Sequence, residues 1–141
     1  RRGGRVAIAF WSSKLLLPGH PELEARLDLA LAEHLPYLRV APERQHQRAL
    51  GWLQARDLED CTARTFVADV IAPLSPALRE SVSAALRMLL DEVRSVLDVE
   101  ERDRFERLCD PGSAEFLAAL PDYSGFVTYS MFCGNKPRRT T

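Results

Sequence analysis

The residues of this 141-residue chain that are equipped for chemistry are few and scattered. Cys61, Cys109 and Cys133 are odd in number and far apart, without the close pairs of a zinc site or a redox motif. They read as buried thiols of a reducing, cytoplasmic compartment. His20, His34 and His46 fall in or beside predicted helices and lack the i, i+4 spacing that aims two imidazoles at one ion, so no metal site is expected. Nothing local supports a Cys–His nucleophilic pair. What remains is a set of groups suited to holding a small molecule: Trp11, Ser12 and Ser13 in succession, His20 soon after, and Tyr123 and Tyr129 near the other end. An indole stacks on a planar ligand, phenol hydroxyls orient one, and an imidazole accepts a proton. Each has a structural alternative: a core aromatic for Trp11, half-buried strand residues for the tyrosines, a cap or solvated residue for His20.

Three segments have the composition of the strands that would position these groups. Residues 5–11 form a nearly continuous apolar run opened by Gly3-Gly4, which predicts a strand buried on both faces inside a parallel sheet. Ligands of open α/β sheets sit beyond the carboxyl ends of such strands, which favours Trp11, Ser12 and Ser13. The following stretch, 14–20, is either a lid over an apolar ligand or a packed connector. Residues 62–70, rich in β-branched side chains and partly alternating, suit a position nearer an edge. Residues 126–133 again combine branched and aromatic side chains and end at Gly134-Asn135-Lys136-Pro137.

About five helices fall between them. Pro21 opens the first, Leu23, Leu27, Leu31 and Leu35 repeat every four residues, and Pro36 closes it. A second is expected over 43–57 behind Pro42. Ser75-Pro76 opens the longest, over 75–97, with an apolar stripe of Leu78, Val82, Leu86, Leu89, Val93 and Val96 or Leu97. Asp98 and Glu101 form a capping box for a fourth, which Pro111-Gly112 stops, and a short fifth begins at Ser113. The class is α/β. Three strands are nevertheless few against a usual sheet of about five to six.

Charge narrows the partners. Six of the 19 basic residues sit at the two ends, including a basic tail over 136–141, so residues 6–135 carry 13 basic against 20 acidic residues. A nucleic-acid interface would show a basic face, and here the arginines of 79–107 alternate with acids as on a solvated helix surface. No apolar stretch approaches the roughly 20 residues of a membrane span. The chain starts at Arg1 without methionine or the apolar core of a signal peptide, so a processed chain or a fragment is expected.

Gly3-Gly4-Arg5-Val6-Ala7-Ile8-Ala9-Phe10-Trp11 resembles the approach to the fifth strand of class I S-adenosylmethionine-dependent methyltransferases, with Arg2 where proline is common. Residues 49–58 resemble the helix and turn before the sixth strand, with Asp57-Leu58 standing where Gly-Phe is frequent; aspartate tolerates a left-handed turn better than most residues. Residues 62–70 and 126–133 would be the sixth and seventh strands. Trp11-Ser12-Ser13, Leu17-Pro18-Gly19, Ala63-Arg64-Thr65-Phe66 and Tyr129-Ser130-Met131-Phe132 are similar to the small-molecule branch related to ubiquinone and menaquinone biosynthesis.

The resemblance implies a Rossmann-like methyltransferase fold of which residues 1–141 are the C-terminal portion, with a three-stranded mixed sheet whose seventh strand lies between the fifth and sixth and antiparallel to both. The outer edge of strand 5–11 would face an absent fourth strand. Such an edge invites homodimerisation or other pairing. The family binds S-adenosylmethionine on its earlier strands, and no G-x-G-x-x-G occurs in this sequence, so this chain alone is expected neither to bind the cofactor nor to be active. The implied substrate is a small apolar or aromatic molecule near Trp11, Ser12, Ser13, His20, Tyr123 and Tyr129, and no residue stands out as an obligatory base. An alternative from another class is a non-catalytic interaction module that docks through the leucine-striped helix 75–97.

Overall fold

Ser75 and Asp98 start two helices by local hydrogen bonds that the sequence alone dictates. The Ser75 hydroxyl accepts from the Leu78 N–H at 3.2 Å, and Asp98 and Glu101 accept from each other's backbone N–H at 2.8 and 3.1 Å. The computed structural model describes residues 3–137; the basic residues at 1–2 and 138–141 lie outside them. The elements are β1 (Arg5–Leu15), α1 (Pro21–His34), α2 (Ala49–Gln54), β2 (Glu59–Ile71), α3 (Pro76–Val93), α4 (Val99–Cys109) and β3 (Ser124–Asn135).

Two expected helices shrink. The one over 43–57 breaks into 3₁₀ turns at Pro42–Arg44 and His46–Arg48 and the six-residue α2, because Gln45 between the turns is extended. The one from Ser113 is reduced to a turn at Leu117–Ala119, since Gly112 and Pro121 leave too few residues to repay helix nucleation.

The strands form one sheet in the order β1-β3-β2. Lys136 N–H donates to the Gly4 carbonyl at one end of the β1–β3 pair, while Gly125 lies against the Leu15 carbonyl at the other, so the pair is antiparallel. Asn135 reaches Asp60 and the Ala72 N–H reaches the Tyr123 carbonyl, so β2 is antiparallel to β3 as well. The sheet is therefore not mixed in its pairings, and β1 has no parallel neighbour among the described residues. Nor is β1 buried on both faces. Apart from Phe10, Trp11 and Ser12, which are all half-buried, its residues alternate between exposed and half-buried, as in a strand covered on one side. β2 is the other edge, exposed from Thr62 to Asp69.

The chain divides into two compact units. A sheet unit comprises Arg1–Ser13, Val40–Ala68 and Val127–Thr141; its core is Ala49, Leu53 and Phe132, with Val6, Ile8, Phe10 and Trp52 among the half-buried residues around them. A helical unit comprises Lys14–Arg39 and Asp69–Phe126, where α1 and α4 pack on α3 around Leu27, Leu86, Leu90, Val93 and Phe105. Most of the α3 stripe is thus spent inside its own unit: Val82, Leu86, Leu89, Leu90 and Val93 are buried, while Leu78 and Val96 stay exposed. Among the described residues no helix is long and apolar enough to cross a membrane.

Candidate functional site

β1 runs four residues beyond the expected strand, to Leu15, and this changes what Trp11, Ser12 and Ser13 can do. They lie within the strand rather than in a loop beyond it. Alternation then sends Ser12 to one face of the sheet and Trp11 and Ser13 to the other, so the three cannot line one pocket together.

On Ser12's face the sheet unit holds a file of hydroxyls. Ser12 Oγ is 2.9 Å from Thr128 Oγ1 and accepts from Ser130 Oγ at 2.9 Å, and Ser130 Oγ is in turn 2.9 Å from Thr65 Oγ1. The file crosses all three strands because Thr128 lies opposite Ser12 and Thr65 opposite Ser130 in the antiparallel register. Secondary bonds to backbone hold its β1 end: Ser12 Oγ donates to the Thr128 carbonyl and Thr128 Oγ1 to the Ser13 carbonyl, both at 3.3 Å. Ser130 is 9% exposed, so its hydroxyl depends on these partners. The same face continues into an aromatic group: Phe10 stacks on Phe132 at 5.8 Å, and His46 sits 5.4 Å from Phe10 and 6.1 Å from Trp52, whose Nε1 donates to the Glu43 carbonyl. His46 is therefore half-buried between two rings.

On the opposite face Trp11 and Tyr129 stack, 6.2 Å between centroids and 11° from parallel. Tyr129 is 48% exposed, so the outer side of the pair meets solvent. Trp11 Nε1 is buried without an acceptor, a donor a ligand's oxygen would satisfy. The register places Phe66 beside Tyr129, and Arg64 caps the Phe66 ring at 4.9 Å. An indole, a phenol and a phenyl ring thus cross the sheet in line.

The helical unit holds the other two expected site residues. His20 precedes α1, where its Nδ1 lies 3.1 Å from Arg104 Nη2; it makes no side-chain cap. Tyr123 is 1% exposed and donates to the Leu16 carbonyl at 3.0 Å. Burial foremost, then the negative charge of Glu24, pushes its phenol up to about 12. With its one proton committed inside the core, Tyr123 is a structural residue and not a ligand-orienting one. Stretch 14–20 is likewise a packed connector: Leu16 and Leu17 are buried and their N–H groups donate to the Glu24 carboxylate. Burial also pushes the Cys109 thiol up to about 12, against the opposing pull of Arg87, so it stays protonated and unreactive.

Among the described residues no group of three or more His, Cys, Asp and Glu is placed to hold a metal. The sequence had pointed to Ser12 but not to Thr65, Thr128 or Ser130; only strand register brings the four hydroxyls together. The chain matches no protein-family model and no curated protein sequence.

Proposed function

We propose that this chain is the substrate-side, C-terminal portion of a class I S-adenosylmethionine-dependent methyltransferase that acts on a small apolar or aromatic molecule. The observation that supports it is the sheet order: β3 lies between β1 and β2 and antiparallel to both, which is the arrangement the resemblance implies for strands seven, five and six. That order is informative because it is not the simplest one. Sequential strands usually neighbour one another, whereas β1 and β2 here are parallel and separated by a later strand. A second feature agrees with it. The sheet unit leaves β1 with an unpaired outer edge, where a fourth strand would lie in the family.

In this reading the substrate rests on the Trp11–Tyr129 stack, with Trp11 Nε1 free to donate to it. The cofactor site belongs to strands outside these residues. The edge of β1 has a consequence for the chain by itself, which is expected to form a homodimer or larger species by pairing that edge. The alternative, docking through α3, is left with the exposed Leu78 and Val96 of its stripe, since Val82, Leu86, Leu89 and Val93 are buried within the helical unit.

The test is calorimetry with S-adenosylmethionine on two proteins: this chain, and this chain extended by the residues its gene encodes upstream. Binding by the extended protein and none by the chain itself is the expected pair of results. Tight binding by the chain alone, or an upstream sequence lacking a strand, a glycine-rich turn and a later acidic residue, overturns the reading.

A further inference from the structure

A second ligand site, independent of the methyltransferase reading, lies in the helical unit. α3 presents Arg79, Ser83 and Arg87 on successive turns of one face, and they line a groove of about 660 Å³ whose other wall includes Pro111, Phe116 and Ala119. The volume falls within the roughly 300–1,000 Å³ typical of small-molecule sites. Its walls are mainly apolar, with the Phe116 ring among them, and Ala84 leaves the middle of the groove open. Ser83 closes the floor and keeps its hydroxyl on the Cys109 carbonyl at 2.8 Å, so the floor presents no free donor.

The polar ends decide what fits. Arg87 is engaged by Asp110 at 3.3 Å. Arg79 has no ion pair or side-chain hydrogen bond among the described residues, which leaves one uncompensated guanidinium fork at the mouth of an apolar cleft. A guanidinium recognises a carboxylate through two parallel hydrogen bonds. Glu80, also at the groove, and Asp110, beside Arg87, would repel a second negative charge. We infer that this groove binds a small planar apolar acid, its rings between α3 and Phe116 and its single carboxylate on Arg79.

The experiment uses the whole chain, titrated with naphthoate, naphthamide and naphthyl phosphate and followed by calorimetry and backbone amide NMR. Saturable naphthoate binding is expected, with shifts centred on Ala84, Phe116 and Ala119. Naphthamide, which keeps the rings and loses the charge, should bind about threefold to fivefold more weakly, the effect of an ion pair at an exposed guanidinium. Naphthyl phosphate should bind no tighter than naphthoate. Arg79→Gln should bring naphthoate down to the affinity of the amide, and Ala84→Trp, at an exposed position where folding is not at stake, should abolish binding by filling the groove. Absence of saturable binding, equal affinity for acid and amide, a preference for the phosphate ester, or indifference to Ala84→Trp overturns the inference.

Discussion

The two units of this molecule are built to different depths. Among the described residues 22 of the 26 buried apolar side chains belong to the helical unit and four to the sheet unit. The helical unit closes on itself: its stripe, caps and ion pairs, such as Arg26 with Glu101 at 2.9 Å and Arg94 with Glu106 at 2.5 Å, are satisfied within it. The sheet unit has one short helix on one face, a central strand with buried residues, and two edge strands whose side chains meet solvent. The difference locates most of the buried apolar side chains in the helical unit and leaves the two edge strands of the sheet unit with side chains that meet solvent.

The contrast predicts a graded set of mutational costs. Phe105, fully buried in the helical unit, is the most sensitive site: Phe105→Ala should cost about 3–5 kcal/mol by chemical denaturation. Val67→Ala, at a β2 position 62% exposed, should cost no more than about 0.5 kcal/mol. Hydrogen exchange should follow the same order, slow in α3 and fast in β2. Equal protection of the two would break the comparison.

Gly125 ranks next. A Cβ built there would stand 2.5 Å from the Leu15 carbonyl and 3.2 Å from the Tyr123 hydroxyl, so the β1–β3 pairing must shift to admit a side chain. Gly125→Ala should destabilise by about 1–3 kcal/mol, the range for overpacking. Gly51→Ala, where nothing lies within 4 Å and the backbone is helical, should be neutral or stabilising.

Tyr123 gives the comparison a pH dependence. Its phenol is raised from 10.0 to about 12 in the folded state, and the Cys109 thiol from 9.0 to about 12. Each is neutral in the native protein and ionises more easily once unfolded. Their contribution is therefore complete below the unfolded values and is lost as pH climbs from about 9 to about 12. Alkaline unfolding should begin in the helical unit, with phenolate absorbance rising together with loss of helix. Tyr123→Phe should cost about 1–2 kcal/mol at neutral pH, because the Leu16 carbonyl loses its donor, and should flatten the tyrosine share of that pH dependence.

The sequence was most readable where structure is local. Pro21, Ser75-Pro76 and the Asp98–Glu101 box carry their own hydrogen-bonding instructions, and α1, α3 and α4 begin where those residues stand. It was least readable where meaning depends on pairing. The apolar run of β1 looks like that of a strand buried on both sides, yet its burial depends on neighbours that run 5–11 cannot specify. The hydroxyl file has the same character: Ser12, Thr65, Thr128 and Ser130 are unremarkable residues until an antiparallel register aligns them. Tyr123 and Tyr129 show the limit most clearly. Six positions apart and alike in composition, one is sealed in the helical core and the other lies 48% exposed on the sheet.

The smallest expected effect is at Asp57, where chain and resemblance meet. Asp57 stands where glycine is frequent in the methyltransferases, and it adopts φ 56°, the left-handed conformation that glycine enters at no steric cost. Holding an L-residue there costs about 1–2 kcal/mol, aspartate somewhat less, and glycine loses part of the difference again through its freer unfolded chain. Asp57→Gly should therefore stabilise the sheet unit by about 0.5 kcal/mol, read as a higher denaturant midpoint with unchanged slope. A loss of stability would mean that the Asp57 side chain contributes more to the turn than its backbone costs, and the departure from glycine would then be a feature of this turn.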